Sequence, residues 1–254
     1  TMSAGAATIK GLLFDKDGTL IDFQNTWPPL LAASIDALAA RLGNAALATE
    51  LMRAGGLDPR TQKVAGGSQL AEGTTDGLVS HWLAAITDLE TLAKQHFGAD
   101  PQGAMIAFLD LFWRRGIQQR MVAAVALAPL FERLHLGGYR LGMATNDSEE
   151  MAYATSAHFN IAQWLDFHAG YDSGHGAKPD PGMIHAFAAK TALAPPEIAM
   201  IGDSPADMQA GRRAGVGLTI AVLTGACTRD QLAPVADVVL NDIAEVPAFL
   251  QARF

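Results

Sequence analysis

The sequence predicts an α/β fold, a Rossmann-like parallel sheet core with an inserted all-helical cap domain. Three observations carry that expectation. Short apolar runs alternate with helical patterns through the C-terminal half of the chain, the signature of a parallel sheet covered on both faces. Residues 22–124 read as helices almost throughout. Thr145 follows Asp15 by about 130 residues, where a βαβ unit takes about 30. The surplus of about a hundred residues over one such unit makes residues 22–124 the cap, set over the C-terminal edge of the sheet. Residues 1–21 and 125–254 form the α/β core.

The first element is the apolar run at residues 9–14, which ends in Asp15-Lys16-Asp17-Gly18-Thr19. Apolar residues bounded by a polar, Gly-containing turn read as a buried strand feeding a loop. Similar runs occupy residues 139–144, 198–201, 218–223 and 237–240, with helical patterns at 148–158, 181–190 and 205–214. In the insertion, Leu31, Ile35, Leu38 and Leu42 make one apolar helix face, introduced by Thr26-Trp27-Pro28. Met105, Phe108, Leu109 and Phe112 repeat the pattern after Asp100-Pro101, a cap and first-turn pair. Between them, residues 66–77 are Gly-rich and read as loop with a short helix. Trp82, Phe108, Phe112 and Trp113 read as cap core.

The chain has 254 residues, with 18 Lys and Arg against 26 Asp and Glu and a formal net charge of -8. A balance that acidic argues against nucleic acid as a partner. Half the residues are hydrophobic and 17% are charged, a globular composition. One cysteine, Cys227, excludes an intramolecular disulfide framework and a zinc cluster built on several thiolates. No run of about 18 apolar residues occurs, so no membrane span is expected. Residues 1–10 lack the pattern of a signal peptide. The expectation is a soluble cytoplasmic protein, a monomer or homodimer.

Four polar clusters fall at or beside strand ends, the edge where an open α/β sheet binds ligands. Asp15 and Asp17 follow the first strand, two residues apart, so that in an extended segment both point the same way. Two carboxylates on one side repel by about 4 kcal/mol at 4 Å with an effective dielectric near 20, and such a pair needs a cation or a shared proton. Thr145-Asn146 ends the second strand. Lys178-Pro179 follows a Gly-rich stretch, and Gly202-Asp203-Ser204-Pro205-Ala206-Asp207 ends the run at 198–201. Plainer roles exist for each. Asp-Gly favours tight turns; Asn146 or Asp147 could cap the following helix; Lys178 could be a solvated loop residue; Ser204 and Asp207 fit a capping box.

Asp-x-Asp-Gly-Thr, Thr-Asn, Lys-Pro and Gly-Asp-x-x-x-Asp, in that order, resemble the haloacid dehalogenase superfamily, and within it the phosphoglycolate phosphatase-like group with a helical cap. The resemblance implies a phosphatase that hydrolyses a small phosphorylated metabolite through an aspartyl-phosphate. Asp15 is then the nucleophile, and Asp17 the proton donor to the leaving alkoxide and acceptor from water. Mg²⁺ binds Asp15, Asp203 and, through its backbone carbonyl, Asp17. Thr145, Asn146 and Lys178 hold phosphate oxygens, and Lys178 also balances the carboxylates. Backbone N–H groups of residues 16–18 and the helix start near Asn146 add anion-binding dipoles. Thr19 supports the turn through its hydroxyl, and Asp207 supports the site.

Lys16 departs from the pattern, since an apolar or aromatic residue is commoner there. It either meets a second anionic group of the substrate or faces solvent, and solvent is favoured. In the cap, Asn25-Thr26-Trp27 could flank the leaving group, and Arg60 or Lys63 could hold a substrate carboxylate or simply be solvated. Among rivals, a dehalogenase needs no Asp17, and a phosphonate-cleaving relative generally lacks it. A phosphosugar mutase keeps every motif. A non-catalytic phosphate-binding protein needs no paired nucleophile and acid. P-loop and dinucleotide-binding glycine motifs are absent.

Overall fold

The computed structural model describes residues 8–117 and 119–253. The expectation about a signal peptide concerns residues that lie mostly outside this range. The chain divides into two compact units, Thr1–Phe23 with Ala123–Phe254, and Gln24–Val122.

In chain order the elements are β1 (Gly11–Phe14), α1 (Phe23–Arg41), α2 (Leu47–Gly55), α3 (Gln69–Glu72), α4 (Thr75–Ala85), α5 (Leu89–Phe97) and α6 (Pro101–Ile117). There follow α7 (Leu127–Leu136), β2 (Arg140–Ala144), α8 (Glu149–His158), β3 (Phe167–Ala169), α9 (Gly182–Thr191) and β4 (Ile198–Gly202). The chain closes with α10 (Pro205–Ala214), β5 (Leu218–Val222), α11 (Arg229–Leu232), β6 (Val238–Leu240) and α12 (Val246–Arg253).

The six strands form one parallel sheet in the order β3-β2-β1-β4-β5-β6. Side chains alternate across it. Leu12 and Phe14 join Leu141, Met143, Ala199 and Ile201 against α7, α8 and α12. Leu13 joins Ala144, Met200 and Phe187 against α9 and α10. Both faces are therefore dry, and near-continuous apolar strands follow from that. β1 sits between β2 and β4, so the chain's direction of winding reverses beside it, and the strand ends there open a crevice.

β3 has no counterpart among the sequence-predicted strands. Its three residues, Phe-His-Ala, are too few and too polar to show a period, and pairing with β2 alone creates the strand. The described residues of the helical unit contain only helices and one isolated bridge, Leu57 with Val64. α1 begins at Phe23, ahead of the Thr26-Trp27-Pro28 start that the sequence suggests, which puts Pro28 and Pro29 inside its second turn. Neither proline can donate a helix hydrogen bond. α3 is the short helix expected in the Gly-rich stretch, and α4 already begins at Thr75. Trp82 is fully buried and donates from Nε1 to the Leu51 carbonyl at 2.9 Å, a core role for an aromatic with a polar handle. Phe108, Phe112 and Trp113 are half-buried.

Candidate active site

Asp15 immediately follows β1, and its N–H donates to the Ile201 carbonyl at 2.8 Å. That bond extends the β1–β4 ladder by one residue and fixes where the carboxylate emerges. Lys178 approaches from the loop before α9. Its backbone is clamped at both ends by one side chain: Lys178 N donates to Asn146 Oδ1 at 2.8 Å, and Asn146 Nδ2 donates to Lys178 O at 2.9 Å. The ammonium donates to Asp15 Oδ1 at 2.5 Å, Asp207 Oδ1 at 2.6 Å and the Ala144 carbonyl at 2.9 Å. All three N–H groups are used, so Lys178 contacts a phosphate oxygen only by giving one up.

Asp207 closes the capping box of α10, with its Oδ2 accepting from Ser204 N at 3.1 Å and from Ser204 Oγ at 2.7 Å. Its other oxygen serves Lys178, so it both caps the helix and belongs to the site. Carboxylate oxygens of Asp15, Asp203 and Asp207 lie within 4.8 Å of one another. Two glycines make room for the middle one. A Cβ on Gly225 or on Gly18 would run into the Asp203 carboxylate, and Gly18 also has φ +84°, where a side chain is strained.

Three buried carboxylates face one lysine, and the titration of Asp15 and Asp203 reflects it. Burial pushes the Asp15 carboxyl up to about 7; Lys178 opposes the rise, while Asp207 and Asp17 add to it. Burial, then Asp15 and Asp207, push Asp203 well above the usual carboxylate range. Burial pulls the Lys178 ammonium down, but Asp15 and Asp207 more than reverse this and hold it above the ordinary lysine range. A cluster of hard oxygen donors with surplus negative charge fits a divalent cation of the Mg²⁺ kind.

Asp17 is not in this cluster. Its Oδ2 pairs with Lys16 Nζ at 2.5 Å, and Lys16 also reaches Asp147 Oδ2 at 3.0 Å. Lys16 is fully buried, which overturns the expectation that it faces solvent. Part of the reason is its own loop and part is Asp147. The Lys16 carbonyl accepts from Thr19, Leu20 and Ile21 N–H groups at 3.4, 2.9 and 3.0 Å, so the loop curls back and turns the side chain inward.

That curl makes the turn by itself. Thr19 is buried and its hydroxyl has no hydrogen-bond partner among the described residues, so it does not fix the turn as expected; Thr224 Oγ1 braces it instead, donating to the Gly18 carbonyl at 2.6 Å. The Gly18 N–H is spent on the Ile21 carbonyl at 2.8 Å and is no anion donor. Thr145 is buried, and its Oγ1 accepts from Asp147 N at 3.0 Å. Ser148, rather than Asn146 or Asp147, caps α8. The N–H groups of Ser148 and Glu149 already point at the carboxylates of Asp147 and Asp172, at 2.7 and 2.8 Å. The helix start near Asn146 is thus served by the chain's own anions. In the helical unit, Thr26 is fully buried with its Oγ1 accepting from Val122 N at 3.0 Å. Arg60 and Lys63 are exposed.

Residues 9–215 match the family model for haloacid dehalogenase-like hydrolases. The chain belongs to that family. A phosphoglycolate phosphatase of Salmonella typhimurium is 28% identical over 219 residues, which cover 83% of this chain and 81% of the relative. The structure of a predicted phosphoglycolate phosphatase from Haemophilus somnus superposes with TM-score 0.70 at 20% identity, covering 96% of this chain and 99% of that one. A Thermotoga maritima structure with a provisional β-phosphoglucomutase designation gives TM-score 0.66 at 16% identity, covering 97% and 100%. This haloacid dehalogenase-like hydrolase is an enzyme, and its relatives place it with the phosphatases of the family. The four motifs that carry the resemblance all lie within the matched residues. Apart from Asp17 and its partners Lys16 and Asp147, the structure joins Asp15, Asp203 and Asp207 around Lys178. Sequence reasoning favoured solvent for Lys16 and offered Asp147 only as a helix cap, so it did not foresee their pairing; Gly225 it missed altogether, because that residue carries no local signal.

Proposed function

We propose that this haloacid dehalogenase-like hydrolase is a Mg²⁺-dependent phosphatase acting on a small phosphomonoester through an aspartyl-phosphate on Asp15. The observation that carries the proposal is the buried Asp15 carboxylate, held at 2.5 Å by Lys178 inside a cluster with Asp203 and Asp207. Asp15 Oδ attacks phosphorus while the bond to the leaving oxygen breaks, and Asp17 gives that alkoxide its proton. Asp17 then takes a proton from water as the water oxygen attacks phosphorus. Inorganic phosphate leaves and the Asp15 carboxylate is restored. Asp15 and Asp203, with the Asp17 carbonyl, would hold Mg²⁺, which when bound offsets the charge between carboxylates and phosphate. Asp207 keeps Lys178 in place, and Lys178 with Thr145 and Asn146 orients the phosphoryl group.

Phosphoglycolate, named for the Salmonella typhimurium relative, leads the candidate substrates. No helix among the described residues is long and apolar enough to cross a membrane. The test is phosphate release from a panel of small phosphomonoesters, with and without Mg²⁺, for wild type and Asp15→Asn. Release that needs Mg²⁺ and vanishes in the variant is expected. No release from any ester by the folded protein would overturn the proposal, and transfer to a second sugar hydroxyl in place of water would make the enzyme a mutase.

A further inference from the structure

Two lysines divide the carboxylates at this sheet edge. Lys178 takes Asp15 and Asp207, while Lys16 takes Asp17 and Asp147. In the second group only Asp17 has an assigned role. Lys16 has no exposed surface, whereas the Asp17 and Asp147 side chains are 22% and 30% exposed. The ammonium therefore lies beneath two carboxylates that reach the surface, and it cannot meet an anionic group of a substrate without displacing them.

The pair is rigidly mounted. The Lys16 carbonyl is pinned by three N–H groups. Asp147 is tied on all sides: its N–H donates to Thr145 Oγ1 at 3.0 Å, its Oδ1 accepts from Ser148 N at 2.7 Å, and its carbonyl accepts from Tyr171 N at 3.0 Å. Stability does not account for this arrangement. A buried ion pair gains little over an apolar side chain of similar size, because the charges lose their water. What a buried cation between two anchored groups supplies is a fixed position.

We propose that Lys16 is a positioning residue for Asp17. It ties the Asp17 carboxylate to the anchored Asp147 and holds it apart from the Asp15, Asp203 and Asp207 cluster, where a proton can pass to and from the leaving group. The proposal rests on the acid/base role assigned to Asp17 above.

The test is Lys16→Met, assayed as kcat/KM on an alkyl phosphate and on p-nitrophenyl phosphate. kcat/KM reads the steps through departure of the leaving group, so the base role of Asp17 in the second step, common to both esters, does not enter. An alkoxide needs a proton as it departs and p-nitrophenolate does not, so a misplaced acid harms the first substrate selectively. General acid catalysis is worth about 10²- to 10⁴-fold; partial loss of its alignment is expected to lower kcat/KM on the alkyl ester by about 10- to 100-fold, with a fall on the aryl ester of about threefold or less. Equal losses of kcat/KM on both esters would overturn the proposal, as would no loss. Asp17→Asn is run in parallel. If it shows no selective loss while wild type still releases phosphate, the acid/base role fails and the proposal with it, but the phosphatase stands. Should Lys16→Met not fold, Asp147→Asn decides, with the same selective loss expected and an unselective or absent one overturning the idea. A crystal structure of whichever variant folds gives a reading independent of turnover. The Asp17 carboxylate is expected to leave its wild-type position, and an unmoved carboxylate would refute positioning even if the enzyme proved inactive on every ester.

Discussion

The Lys178 ammonium lies 2.5 Å from Asp15 Oδ1 although 163 residues separate the two in sequence. Nothing local brings them together. Asp15 is placed by the end of β1, and Lys178 by the side chain of Asn146 at the end of β2. Neighbouring strands therefore set the contact, and its accuracy depends on both.

Lys178→Met should leave three buried carboxylates without their cation. Removing one partner of a buried pair costs about 3–5 kcal/mol, measurable as a lower urea midpoint in metal-free protein. Phosphatase activity is expected to fall with it, and added Mg²⁺ should restore more stability to the variant than it adds to wild type.

Asp203 is held protonated more readily than a free aspartate, by burial first and by its neighbours Asp15 and Asp207 second. Asp203→Asn should therefore stabilise the metal-free protein. It should also remove most of the response to metal. With Mg²⁺ about 100-fold above its Kd, binding stabilises wild type by about 2.7 kcal/mol, a rise in Tm of about 5–10 °C for a chain of this size. Thermal denaturation with and without Mg²⁺ checks both halves.

Asn146→Ala removes two hydrogen bonds from the Lys178 backbone. Each is worth about 0.5–1.5 kcal/mol net, so the stability loss should be modest. Activity should suffer more, by about 100-fold in kcat, because displacing a positioned group by an ångström can cost that much. Steady-state kinetics beside urea denaturation separates the two effects.

His168 is not part of the carboxylate cluster; it is stacked on Tyr153 at 4.3 Å with its Nε2 2.9 Å from Ser156 Oγ. Burial lowers its pKa, opposed in part by Glu149. A histidine kept neutral by the fold gives its full stability above its unfolded pKa of about 6.5, and that contribution is lost as pH falls through the folded value. Urea midpoints should thus show the advantage of wild type over His168→Asn shrinking as pH drops below about 6.5.

Much of this was written in short segments of the chain. The apolar runs of β1, β2, β4, β5 and β6 show their character residue by residue, and those of β1, β2 and β4 end in polar clusters, because a strand must leave the core where its apolar residues stop. The order of those clusters was enough to expect Asp15, Asp17, Lys178 and Asp203 at one edge. An insertion between residues 22 and 124 was expected for a similar reason, since a crossover of that length exceeds one βαβ unit, and the chain divides into compact units at Phe23/Gln24 and Val122/Ala123.

Other features came from distant partners and had no local signature. β3 exists because β2 offers it an edge. α1 runs through Pro28 and Pro29, although a proline pair reads in sequence as a first turn. Lys16 illustrates the point best. Strand alternation sends it away from Asp15 and Asp17, toward water; only the curl of its loop and the arrival of Asp147 from β2 turn it inward between two carboxylates. Sequence determined that Asp15, Asp17 and Asp203 gather at the sheet edge, because each follows the end of an apolar strand. Tertiary structure decided which cation serves which anion, because pairing depends on distances of a few ångströms between segments that the sequence keeps far apart.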